Sequence, residues 1–192
     1  VQAFDKAIEI SPNHAEIWAG KGIALNGEGN YVKALDAFNR SIEINPQLAE
    51  AWNGKGITLK NQKKFEQAIE AFDKAIEIDA KFSGAWRNKG LALSGLGKYE
   101  EALAAYNKAI EIDPKLEDAW KNKGLILSSL GKSVEAIRAF EKVIEINPND
   151  PEAWVYKGAT LGMQGKCDEA LLAFNKAIEI NPQLAEAWNS KG

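Results

Sequence analysis

The chain has 192 residues, a formal net charge of −3, one cysteine and one histidine. That composition excludes an internal disulfide, and it lacks the basic excess that nucleic-acid binding calls for. No apolar run approaches the ~20 residues of a membrane-spanning helix, and no signal-like segment opens the chain, so the expected location is cytoplasmic.

The first residues, Val1 to His14, carry apolar side chains at helical spacing (Val1, Phe4, Ile8) and read as the second half of a helical pair. From there the tryptophans set the frame: Trp18, Trp52, Trp86, Trp120, Trp154 and Trp188 follow one another at intervals of 34 residues without insertion. A fixed period in this range marks a tandem-repeat array. Lys-Gly follows each tryptophan at the third and fourth places, from Lys21-Gly22 to Lys191-Gly192. An alanine comes next (Ala34, Ala68, Ala102, Ala136, Ala170), then an aromatic (Phe38, Phe72, Tyr106, Phe140, Phe174). Each unit closes on a proline (Pro12, Pro46, Pro114, Pro148, Pro182), with Ala80 standing in once.

Within a unit two helices are expected. In the second, Trp52, Gly56 and Leu59 mark the first helix, and Phe65, Ala68, Ile69, Phe72, Ala75 and Ile76 the other. Both stripes have helical rather than strand spacing. Gly29, Gly97, Gly131 and Gly165 mark the turn between them, where a left-handed residue commonly ends a helix. Gln62-Lys63 takes their place in the second unit. Asn-Pro and Asp-Pro pairs close the units, with asparagine or aspartate suited to a cap or turn and proline to the first turn of the next helix. Gly56 and Ala68 are expected where the two helices cross. Trp52 is expected as a buried wedge against the neighbouring unit.

The run Trp…Gly…Ala…Phe/Tyr…Pro on this period resembles the tetratricopeptide repeat (TPR) family over the whole chain. The resemblance implies an all-α, right-handed superhelical solenoid of antiparallel helix-turn-helix repeats. The repeats would span 15–48, 49–82, 83–116, 117–150 and 151–184, with 1–14 the second helix of an earlier repeat and 185–192 the start of a further one. A longer array is implied. The chain departs from the family pattern in having lysine before each glycine, where leucine is common, and Leu25, Leu59, Leu93, Leu127 and Leu161, where an aromatic is common. Ser133 and Cys167 replace a common tyrosine.

No motif points to chemistry. There is no CxxC, HExxH or GxSxG, and Ser94-Gly95-Leu96-Gly97-Lys98 only imitates part of a phosphate loop at a repeat turn. Neither catalytic residues, metal nor cofactor is expected. His14 reads as a solvated turn residue and Cys167 as a small half-buried one. The lysine ladder at Trp+3 reads as stems packed on the next helix, with Glu43, Glu77, Glu111, Glu145 and Glu179 as candidate partners.

The resemblance implies that first helices line a concave groove and contact a protein or peptide there, at the positions that vary between units. In the second unit these are Asn53, Ile57, Lys60 and Asn61. The third offers Arg87 and Leu91 with Asn88 beside them, the fourth Lys121 and Leu125 with Asn122, and the fifth Val155 and Met163. Three cations, several amides and an apolar floor suit a peptide of some acidic character. The family's clamp for a C-terminal carboxylate wants asparagine at Trp+5, where this chain has Ile23, Ile57, Leu91, Leu125 and Ala159, so no such clamp is expected. The leading reading is a protein-interaction scaffold rather than an enzyme. The alternatives are a regulatory or substrate-presenting arm of a larger enzyme, and a structural module associating head to tail through its uncapped ends.

Overall fold

A computed structural model describes residues 1–191; the side chains of Glu186, Ser190 and Lys191 are not described, and Gly192, last member of the Lys-Gly series, lies outside the described residues. All regular structure among the described residues is helical. The chain divides into two compact units, Val1–Ile112 and Asp113–Gly192.

The first unit holds α1 (Gln2–Ile10), α2 (Ala15–Gly27), α3 (Tyr31–Ile44), α4 (Ala49–Asn61), α5 (Phe65–Ile78), α6 (Ser83–Gly95) and α7 (Tyr99–Ile112). The pairs α2/α3, α4/α5 and α6/α7 are hairpins. The first helix of each following pair packs on both helices of the pair before it, so α4 contacts α2 and α3, and α6 contacts α4 and α5. The second unit repeats this with α8 (Glu117–Ser129), α9 (Ser133–Ile146), α10 (Pro151–Met163), α11 (Cys167–Ile180) and α12 (Ala185–Lys191).

Each hairpin turn contains one residue in the left-handed region. Gly29, Gly97, Gly131 and Gly165 have φ between 73 and 76°, and where glycine is missing Lys63 adopts φ 61° itself. The turn geometry is therefore held against the local preference of lysine, for which this region is unfavourable.

The buried wedge is the second-helix aromatic, not the tryptophan. Phe38, Phe72, Tyr106, Phe140 and Phe174 are all buried. Each lies against the glycine at Trp+4: a Cβ on Gly56 would come within 2.5–3.0 Å of three ring carbons of Phe72, and Gly22, Gly90, Gly124 and Gly158 meet Phe38, Tyr106, Phe140 and Phe174 in the same way. Phe38 also closes on Gly54 of the next hairpin, so its ring fills the space between two glycines. Ala68 packs in the same cluster.

The tryptophans act as staples, half-buried from Trp18 to Trp154 and exposed at Trp188. Each indole N–H donates to the main-chain carbonyl six residues earlier, at 2.8 Å for Trp18 to Pro12, 3.0 Å for Trp52 to Pro46 and 3.2 Å for Trp86 to Ala80. Trp120, Trp154 and Trp188 do the same with Pro114, Pro148 and Pro182. The acceptor is backbone, so alanine serves as well as proline.

The residues that close the units form the turn expected of asparagine or aspartate, in Asp79-Ala80 as in the Asn-Pro pairs, and only the prolines differ from expectation. Asn45, Asp79, Asn147 and Asn181 end the second helices in extended or near-extended backbone, and their side-chain oxygens accept the N–H two residues on. This Asx turn carries the chain round, and the prolines sit within it, before the next helix. Pro151 alone holds the first helical position, behind Asp150, whose carboxylate accepts the N–H of Glu152 at 2.9 Å and of Ala153 at 3.3 Å.

Candidate functional site

The first helices of each unit present side by side the face at Trp+1, +5, +8 and +9, roughly opposite the tryptophan stripe at 3.6 residues per turn. In the first unit that face is knit by amides. Asn88 Nδ2 donates to Asn53 Oδ1 at 2.9 Å, joining α6 to α4, and Asn61 Nδ2 donates to Asn26 Oδ1 at 3.4 Å, joining α4 to α2. Asn88 is only 3% exposed, so it serves this ladder rather than a ligand. Asn53 is half-buried and Asn61 exposed, each with amide capacity beyond the ladder. Ile57 and Leu91 are half-buried, and Ile57 packs on the core around Phe72.

Lys60 and Arg87 add the charge. Burial lowers the Lys60 pKa below the ordinary lysine range, and the like charge of Arg87 pushes it in the same direction. Lys60 is half-buried beside the apolar floor, within reach of the field of Arg87. Below the face, burial raises the Tyr106 pKa, with Arg87 opposing it.

In the second unit the expected basic character is cancelled. Lys121 Nζ lies 2.7 Å from Asp150 and 3.3 Å from Glu152, with Glu117 at 3.9 Å. Burial works to lower the Lys121 pKa, but Asp150 first and then Glu152 raise it overall. Burial likewise works to raise Asp150, yet Lys121 and the amides of Ala153 and Glu152 outweigh it and hold the carboxyl below the usual range. Glu117 is raised, by burial first and then by its hydrogen bond to Asp150. Lys121 is thus a tie between α8 and α10, and Asn122 donates to the Asp118 carbonyl of its own helix.

Val155, expected on the groove, is 1% exposed and belongs to the core with Leu161 and Phe174. Met163 is 69% exposed. It borders a small recess of about 150 Å³ with Leu125, Ala159, Phe140 and Tyr156, and Ser128, Ser129 and Thr160 complete the lining. The Phe140 and Tyr156 rings meet at 5.6 Å between centroids. Tyr156 stands at Trp+2, where the first two repeats have glycine, and gives the recess an aromatic wall.

The lysine ladder is also corrected. Lys21, Lys55, Lys89, Lys123 and Lys157 each lie 5.1–5.7 Å from the ring centre of their own tryptophan. Their acidic partners, where present, are sixteen residues earlier: Asp5 for Lys21 at 2.8 Å, Asp73 for Lys89 at 2.6 Å and Glu141 for Lys157 at 2.8 Å. Glu43, Glu77, Glu111, Glu145 and Glu179 instead pair with the cation three residues before them on their own helix.

His14 is exposed, with Nδ1 2.8 Å from the Glu16 carboxylate. Cys167 is exposed at the start of α11 rather than half-buried. No group of three or more His, Cys, Asp or Glu suited to a metal ion occurs among the described residues. No helix among the described residues is long and apolar enough to cross a membrane.

A comparison with curated proteins finds no match. Among solved structures the chain is similar to YrrB, described as a TPR protein with an unusual peptide-binding site, at 25% identity and TM-score 0.77, covering 98% of this chain and 97% of YrrB. It is similar to MamA at 27% identity and TM-score 0.78, covering 86% of this chain and 96% of that one. PilF of Pseudomonas aeruginosa, at 21% identity, shares the fold with TM-score 0.82 over 92% of this chain and 80% of its own. A family model for the tetratricopeptide repeat matches residues 15–48, 49–82, 83–116 and 117–150, and a second such model matches 139–171. With its tryptophan staples and glycine-seated aromatics repeated through those segments, the chain belongs to the tetratricopeptide repeat family.

Proposed function

We propose that this protein-interaction scaffold receives a peptide segment of acidic character on the first-helix face of its first unit. The observation that carries the reading is Lys60, half-buried on this face and without an ion pair among the described residues. Asn53 and Asn61 offer amides beside it for a peptide main chain, and Ile57 and Leu91 an apolar floor. The second unit has its own receptor for an apolar side chain in the recess beside Met163. Folds of this family are typically non-catalytic, and the proposed role is binding alone, in a cytoplasmic setting that suits an exposed thiol. The description of YrrB as having a peptide-binding site is in keeping with this reading.

The test is peptide phage display against the intact chain, followed by titration of the enriched peptides against Lys60→Glu and Met163→Glu. Acidic sequences that lose binding on Lys60→Glu support the reading. Enriched peptides that bind both variants as tightly as the parent protein refute it.

A further inference from the structure

Opposite the first-helix face, each of four hairpins carries a cleft beside its tryptophan. Each is lined by the tryptophan and by the lysine three residues after it. In the first unit the cleft of α2/α3 measures about 390 Å³ and that of α4/α5 about 570 Å³. The larger one has the Trp52 indole on one side, Leu59 and Ala71 as its floor, and Lys55 and Glu70 at its rim.

The sibling lysines show what this position binds. Lys21 and Lys89 take a carboxylate from the preceding second helix, at 2.8 Å from Asp5 and 2.6 Å from Asp73, while held over an indole ring. At Lys55 the corresponding residue, sixteen earlier, is Asn39. Lys55 sits 5.3 Å over the Trp52 ring as its siblings do, yet forms no ion pair among the described residues, and Glu70 lies beyond ion-pair distance of it. Lys74, also on the cleft, is taken by Glu77 at 2.7 Å. The chain thus supplies its own acid to the neighbouring copies of this site and withholds it from the largest cleft.

We propose that the α4/α5 cleft is a second docking site, taking from a partner protein a segment with an aspartate or glutamate next to a large apolar residue. The acid takes the place that Asp5 and Asp73 hold at the sibling lysines, and the apolar side chain lies on Leu59 and Ala71 against the indole. A volume of this size is within the ~300–1,000 Å³ of ordinary ligand clefts. The site is on the far side of α4 from Asn53, Ile57 and Lys60, so it stands or falls independently of the peptide face proposed above.

The experiment follows the indole N–H resonances of the intact 15N-labelled chain during titration with the capped dipeptide Ac-Glu-Phe-NH2, with Ac-Gln-Phe-NH2 as control. Trp52→Phe assigns the signal. The expected result is a saturable shift of the Trp52 indole at millimolar peptide, weakened about tenfold or more by glutamine in the peptide or by Lys55→Met, the scale of one charge-assisted hydrogen bond. Asn39→Asp supplies the missing acid and abolishes the response. Asp5→Asn removes one and opens a new response at Trp18, beside the α2/α3 cleft. Equal shifts from both dipeptides, an unmoved Trp52 signal, or undiminished binding in Asn39→Asp overturns the proposal. A shift from 3-phenylpropionate as tight as that from the dipeptide overturns the choice of a protein segment as partner.

Discussion

Replacing Gly56 by alanine tests how the hairpins are held. By helix propensity alone the change stabilises a helix interior by about 1 kcal/mol. Against this, the new Cβ would stand 2.5–3.0 Å from three carbons of the Phe72 ring, which is fully buried and has nowhere to withdraw. Overpacking of that kind costs about 1–3 kcal/mol. The steric term wins, and Gly56→Ala is expected to destabilise the chain by up to about 2 kcal/mol. Gly27→Ala is the control, because it is helical, exposed and has no heavy atom within 4 Å of the built Cβ. It keeps the propensity gain and should stabilise. The assay is urea denaturation followed by helical circular dichroism, with midpoints compared across variants because repeat arrays depart from two-state unfolding. In the double variant Gly56→Ala/Phe72→Leu the smaller side chain makes room, so its loss should be less than the sum of the single losses. A Gly56→Ala protein as stabilised as Gly27→Ala would refute the glycine-seated aromatic as the determinant of packing.

Three other outcomes follow from the same structure. Phe72→Ala, at a fully buried ring, should cost about 3–5 kcal/mol, and Trp52→Ala, at a half-buried one, about 2–3 kcal/mol from roughly 100 Å² of lost burial; the reverse order in denaturation midpoints would contradict the staple role given to tryptophan. Lys63→Gly relieves the left-handed backbone at φ 61°, and should stabilise by about 0.5–1 kcal/mol, the left-handed penalty less glycine's entropy, measured as a rise in melting temperature. The Lys121 tie gives the second unit a signed pH profile. Glu117, with its raised pKa, favours the folded state as pH falls towards the glutamate range, whereas Asp150, with its lowered pKa, gives stability that is present above about pH 3.9 and lost as acid titrates it. Lys121, raised, holds its share until pH climbs past about 10.4. Asp150→Asn should flatten the acid limb of a melting-temperature profile, and an unchanged limb would discount the tie.

The architecture was legible in the sequence because each repeat restates it. Six tryptophans in phase, with glycine at +4 and an aromatic at +20, define the hairpin before any coordinates. Which aromatic was buried was less legible, since tryptophan is the larger ring and the glycine that receives Phe72 lies sixteen residues away on another helix. The site residues divided for similar reasons. Lys60 can be read as a face cation, but the loss of Lys121 to Asp150 and Glu152 depends on residues about thirty positions on, brought back by the next hairpin. Val155 and Asn88 border the packed side of their helices, where a small rotation decides between ligand and core. The acids that pair with Trp+3 lysines leave a trace in the sequence: Asp5, Asp73 and Glu141 recur in every second repeat, with Asn39 and Asn107 between them.

The tryptophan staples bear on how such a chain folds. Each indole bond joins residues six apart, and each hairpin joins neighbours in the chain, so no contact of the staple or turn waits for a distant segment. Closing loops this short loses little entropy, and low contact order favours rapid folding. A turn stapled by Trp52 to the Pro46 carbonyl fixes the direction in which α4 leaves α3 before α5 is in place. Assembly can therefore proceed hairpin by hairpin in step with the growing chain, each finished pair offering a surface on which the next condenses.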